Sequence, residues 1–265
     1  MKYPYTRDSE RHDTPRGSVT CQQFRSQIFG GTARDYWLYV PAQYRADKPA
    51  ALMVFQDGHH YVAEDGPFRT PIVFDNLIHQ RAMPVTIGLF INPGHSGKAP
   101  PETPWQSDQR SYEYDSLSEK YSRFIIEEMI PEVEKTHRLS SDPKQRAIAG
   151  MSSGAICAFT VAWHRPDCFH KVMSHVGSFC DIRAGHQYPF WIRQWPKREL
   201  KVFLQSGEND LETQFGSWWI CNLQMAKALE WRKYEHQFVG GKGGHDGDHG
   251  GAILPESLRW LWANR

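Results

Sequence analysis

The sequence predicts an α/β protein, a doubly wound and mostly parallel sheet with helices on both faces. Three observations carry that expectation. Apolar runs of strand length, such as Ala51-Leu52-Met53-Val54-Phe55 and Val85-Thr86-Ile87-Gly88-Leu89-Phe90-Ile91, are nearly continuous rather than alternating, which suits strands covered on two sides. Stretches with helical apolar spacing alternate with these runs, the order that builds a parallel sheet. The segment Arg146–Phe159 reads as a short buried strand that turns sharply into a buried helix through Gly150-Met151-Ser152-Ser153-Gly154.

Residues 1–30 are read as a polar N-terminal extension, and Asp35–Val40 as the first strand, bounded by Gly30-Gly31 and Pro41. The run Ala51–Phe55 ends in Gln56-Asp57-Gly58-His59-His60, and Pro71–Gln80 begins a helix with proline in its first turn and Ile72, Val73, Leu77 and Ile78 on one face. After the strand Val85–Ile91, residues 92–115 form a long loop rich in proline, glycine and serine, of a length that is usually functional in a compact domain. One long helix is expected next, capped by Ser116 or Ser118, with Leu117, Tyr121, Phe124, Ile125, Met129 and Val133 at helical spacing. Beyond the Gly-rich turn come a strand at Lys171–Val176 and an irregular aromatic segment at residues 181–197, read as a second loop that forms a cap or pocket wall. A strand at Leu200–Gln205, a helix at Gly216–Trp231, a strand at Tyr234–Val239 and a helix at Leu254–Trp262 complete a single domain of residues 1–265.

Thirty-one Lys and Arg against 30 Asp and Glu leave no basic excess for nucleic acid and no polybasic segment for an anionic membrane. A small-molecule or carbohydrate-linked substrate is therefore favoured. Met1–Gly17 has no apolar segment of signal type and no apolar run reaches membrane-spanning length, so a soluble, cytoplasmic chain is expected. The five cysteines are scattered without C-x-x-C spacing, as expected of reduced thiols packed as small hydrophobes.

Gly150-Met151-Ser152-Ser153-Gly154 fits G-x-S-x-G. A turn that lifts a serine hydroxyl above a sheet edge leaves no room for bulk two residues to either side, and it aims the N–H of the next residue, Ser153, where an oxyanion would form. Asp57 and Gly58 follow a strand that ends at the same crevice, so the second oxyanion donor is open between them. A serine nucleophile needs a base and an acid to orient the base. The chain supplies them in the order Ser152, Asp210 and His245, each just past a strand end. A rival reading groups His245-Asp246-Gly247-Asp248-His249 with His59-His60 as metal ligands.

On these residues the chain resembles the putative esterase family of α/β-hydrolases, which includes enterochelin esterases and feruloyl or acetylxylan esterases. The resemblance runs from about Asp35 to Trp262: G-x-S-x-G at Ser152, Gly207-Glu208-Asn209-Asp210 for the acid and Gly244-His245 for the base. Arg110-Ser111-Tyr112-Glu113-Tyr114 is similar to the family's R-x-x-E-Y, which implies that Arg110 and Glu113 shape the substrate side. Gln56-Asp57-Gly58-His59-His60 departs from the His-Gly-Gly of many hydrolases. The resemblance implies an α/β-hydrolase fold and cofactor-independent ester hydrolysis through an acyl-enzyme. Trp218 or Trp219 would line an aryl or sugar site, and His249 would pack at a helix start or touch substrate. Acyl transfer by the same triad, a non-catalytic binding domain and a metal-dependent hydrolase are the alternatives.

Overall fold

The computed structural model describes residues 3–263. Eight strands form one sheet in the order β1-β2-β4-β3-β5-β6-β7-β10. These are β1 (Ser18–Arg25), β2 (Ala33–Val40), β3 (Ala51–Gln56), β4 (Thr86–Ile91), β5 (Arg146–Met151), β6 (Lys171–His175), β7 (Lys201–Gly207) and β10 (Glu235–Gly241). The pairings β1–β2 and β2–β4 are antiparallel and the other five are parallel. From β3 the chain goes to one side for β4 and to the other for β5, so the order reverses between β3 and β5, where a crevice opens at the carboxyl ends of parallel strands.

Strands β3 to β7 are buried throughout, as the continuous apolar runs require. Their side chains still alternate: Leu52 and Val54 join the core on one face, with α6 (Ser153–His164), while Met53 and Phe55 join the other, with α2 (Thr70–His79) and α10 (Leu254–Trp262). The 12-residue helix α6 is all but fully buried, consistent with its apolar composition on every side. Among the described residues no helix is long and apolar enough to cross a membrane.

The structure departs from the sequence-based expectations in four elements. Ser18–Arg25, expected within a polar extension, form edge strand β1; its side chains are almost all exposed, so its pairing with β2 leaves no apolar pattern to read. The long helix is α4 (Lys120–Arg123), a π-helical turn (Phe124–Met129) and α5 (Ile130–Glu134), and neither Ser116 nor Ser118 is its N-cap. Pro131 accounts for the widened turn, because proline offers no N–H and its ring crowds the carbonyl four residues back. Residues 181–197 include helix α7 (Tyr188–Gln194), which starts with Pro189 and buries Tyr188 and Ile192 one turn apart. Gly216 and Ser217 belong to a small hairpin, β8 (Glu212–Thr213) with β9 (Gly216–Ser217), and α8 begins at Trp218 and ends at Trp231. The remaining short helices are α1 (Gly58–Val62), α3 (Arg110–Tyr114) and α9 (Asp248–Ala252).

Candidate active site

Ser152 sits between β5 and α6 with φ 56° and ψ −123°, a backbone that L-residues rarely adopt. The turn holds because its flanks are glycines. A Cβ on Gly150 would meet the Gly154 carbonyl oxygen at 2.1 Å, and one on Gly154 would meet Asp57 Oδ2 at 2.9 Å. The Ser152 N–H donates to the His175 carbonyl at the end of β6 (3.0 Å), tying the turn to the neighbouring strand.

Asp210 follows β7 and His245 follows β10, and the parallel register of those strands sets the two loops side by side. His245 Nδ1 lies 2.6 Å from Asp210 Oδ1, and His245 Nε2 lies 2.8 Å from Ser152 Oγ. Because the carboxylate can only accept, Nδ1 carries the proton and Nε2 accepts from the serine hydroxyl. The Asp210 side chain is fully buried and is held by the Leu211 N–H (2.7 Å) and the Ser206 hydroxyl (3.2 Å). Ser178, in the loop after β6, lies 3.1 Å from Ser152 Oγ and accepts from Trp218 Nε1 at 3.1 Å, while the Trp218 ring stands edge-on to His245 at 5.9 Å. Ser178 was missed in the sequence; its place just past the carboxyl end of a buried strand is the signal that marks it.

The N–H of Ser153 opens α6 at the mouth of the crevice. Across it, Asp57 is left-handed (φ 53°), and its N–H donates to the Tyr114 hydroxyl at 3.2 Å. The His59 N–H is taken by Asn92 Oδ1 at 3.1 Å. Gly58 lies between them as the first residue of α1, and among the described residues its N–H has no protein partner. Gly58 has to be glycine, since a Cβ there would lie 2.4 Å from the Phe90 carbonyl carbon.

The other expected substrate contacts separate. Arg110 binds both carboxylate oxygens of Asp57, at 2.9 and 2.8 Å, which secures the loop after β3 to α3; its guanidinium also lies 4.9 Å from the Trp105 ring centre. Glu113 is a correction: it is fully buried in a two-pronged pair with Arg34 and receives the Gly94 N–H, so it anchors the start of the 92–115 loop and faces no substrate. The Trp219 ring packs on Phe238 and over Gly240 of β10, and Trp218 is the tryptophan beside His245. His249 takes the packing role: it is buried, stacks on Tyr3 at 4.1 Å and meets Gln205 Nε2 at 3.3 Å. The histidines of the rival metal grouping are thereby dispersed. His59 is held by Asn92, His60 packs against Phe68, and among the described residues no three His, Cys, Asp or Glu side chains converge as metal ligands.

Residues 26–249 match the family described as "Putative esterase". Iron(III) enterobactin esterases of Escherichia coli and Dickeya dadantii are 23% and 24% identical over 87% and 86% of this chain, which spans about half of their length, 54% and 51%. Among solved structures, the enterobactin esterase of Shigella flexneri superposes with a TM-score of 0.73 at 20% identity, covering 94% of this chain and 61% of that one. A ferulic acid esterase from Anaeromyces mucronatus superposes with a TM-score of 0.71 at 12% identity, covering 96% and 93%. These likenesses show the α/β-hydrolase fold, and with the family match over most of its length the chain belongs to the family described as "Putative esterase".

Proposed function

We propose that the chain hydrolyses a carboxylic ester through Ser152, His245 and Asp210, with an acyl-enzyme intermediate and no cofactor. The observation that carries this reading is the continuous line from the buried Asp210 carboxylate through His245 to the strained Ser152, at 2.6 and 2.8 Å. Ser152 Oγ attacks the carbonyl carbon as His245 Nε2 takes its proton, and Asp210 holds the imidazole and stabilises the imidazolium that forms. The carbonyl oxygen, now an oxyanion, receives the N–H groups of Ser153 and Gly58. Gly58 is preferred to Asp57 because the Asp57 N–H is already given to Tyr114. His245 then returns its proton to the departing alkoxide, and water repeats the sequence on the acyl-enzyme to release the acid.

The reading for substrate is an ester with an aryl group near the scissile bond. It rests on the tryptophan beside His245, on exposed apolar side chains of the loops at the carboxyl ends of the strands, and on what similar proteins bind. Trp218 stands beside His245, while Trp105, Leu211 and Phe215 are more than one-third exposed on loops that follow β4 and β7. Similar solved structures include an enterobactin esterase determined in the presence of 2,3-dihydroxy-N-benzoyl-glycine and a ferulic acid esterase in complex with ferulic acid. Labelling with a fluorophosphonate followed by peptide mapping tests the mechanism. An adduct on Ser152, absent after His245→Ala, supports it; an adduct on Ser153 or Ser178, or none on active protein, contradicts it.

A further inference from the structure

At the opposite edge of the sheet, Lys171, Lys201 and Glu235 are the first residues of β6, β7 and β10, and the parallel register makes them direct neighbours on one face. Lys171 and Lys201 are 4% and 3% exposed, a burial that lysine rarely reaches without a counter-charge. Lys201 Nζ lies 2.8 Å from Glu235 and 2.9 Å from the Ala263 carbonyl. Lys171 donates to the Lys144 carbonyl, and among the described residues no carboxylate lies within ion-pair distance of it. The stems of the two lysines lie along α10, with the ammonium groups 5.2 Å from the Trp262 ring and 4.7 Å from the Trp260 ring.

These lysines line a cavity of about 700 Å³, together with Lys144, Lys197, Arg198 and His170. Its charged lining is five cationic side chains against Glu199 and Glu235. The volume lies in the range of small-molecule sites. Burial, reinforced by the neighbouring Lys201 ammonium, pushes Lys171 down to about 8, the signature of an ammonium short of negative charge. An anion in the cavity would offset both effects by its attraction for the two ammonium groups.

We propose that this cavity binds a small, multiply charged oxyanion of the phosphate class, with Lys171 and Lys201 as its floor and Lys144 and Lys197 at its rim. The site is independent of the ester chemistry, because it lies at the amino ends of the strands whose carboxyl ends carry Ser152, Asp210 and His245. Packing alone explains the lysine stems over the tryptophans. It does not explain two adjacent buried ammonium groups of which, among the described residues, only Lys201 has an ion-paired carboxylate.

The test is calorimetric titration of the intact chain with inorganic pyrophosphate and with inorganic phosphate, using chloride at matched ionic strength as the control. One-to-one saturable binding is expected, tighter for pyrophosphate. Lys171→Met keeps the stem over Trp262 and removes the charge, and it should weaken binding roughly tenfold or more, the loss expected for one charge-assisted contact. The double variant Lys144→Ala, Lys197→Ala changes two exposed positions and should weaken binding even if Lys171→Met fails to fold. Ester hydrolysis should be unchanged in every folded variant. No saturable heat at millimolar pyrophosphate, or an affinity unaltered by these substitutions, would overturn the proposal.

Discussion

Asp210 and Glu212 are two residues apart, yet the fold treats them differently: Asp210 is buried against His245, and Glu212 is exposed on the hairpin. Asp210→Asn keeps the side-chain shape but no longer fixes the proton on Nδ1, so kcat should fall by about 10³- to 10⁴-fold with the fold intact. Glu212→Gln should leave kcat within about twofold, since exposed substitutions away from a site do little. Steady-state kinetics on the pair checks this, and a more damaged Glu212 variant would mean that the acid is misplaced. The two late histidines divide in the same way. His249→Ala removes the Tyr3 stack and the Gln205 contact and should cost about 2 kcal/mol of stability in urea unfolding, with kcat of the folded fraction nearly unchanged. The sequence alone could rank His245 above His249 through the glycine pair before it. It could not tell Asp57 from Gly58 as an oxyanion donor, because the partner that occupies the Asp57 N–H, Tyr114, comes from α3, 57 positions along the chain.

At the scale of elements, the loop after β3 and helix α3 act as one unit through the Arg110–Asp57 pair. The Asp57 side chain is fully buried, so Arg110→Ala leaves an uncompensated carboxylate and should cost about 3 kcal/mol. The same change frees the backbone beside Gly58, so kcat should fall while KM stays close to its original value, with Arg110→Lys restoring part of the rate. A rise in KM alone would instead assign Arg110 to ground-state substrate binding. The R-x-x-E-Y similarity points to a segment whose Arg110 pairs with Asp57, next to the proposed donor Gly58. What it could not convey is that Arg110 and Glu113 spend their charges on Asp57 and Arg34, since each pairing joins segments more than 50 positions apart. The buried strands and the Gly-flanked turn were legible because their composition follows from two-sided burial and steric exclusion. Strand β1 was not, because hydrogen bonding along its edge leaves no trace in side-chain type.

For the molecule as a whole, the histidine beneath the Gly-flanked Ser152 turn makes stability depend on pH. His175 is fully buried, donates no charge to any partner and meets the Tyr61 hydroxyl at 2.9 Å; burial, then the nearby His249 and His60, push it down to about 3. The unfolded chain takes up this proton near pH 6.5 and the folded chain does not, so stability is fully present above that pH and is lost as pH falls toward about 3. His175 alone should remove about 2 kcal/mol between pH 7.5 and pH 5. His59, His60 and His249 are also lowered by burial and act with the same sign. Urea unfolding at the two pH values should therefore show a wild-type loss that exceeds that of His175→Gln by about 2 kcal/mol. Equal losses would mean that His175 is protonated in the folded chain.

The central claim, that Ser152 and His245 work as one nucleophilic unit, is tested most directly by single-turnover rates of Ser152→Ala, His245→Ala and the double variant on one aryl ester. Each single change should cost several orders of magnitude in rate, and the double variant should be little worse than either, because removing one member already disables the unit. Multiplying losses in the double variant, or a His245→Ala enzyme that retains most of its rate, would contradict it.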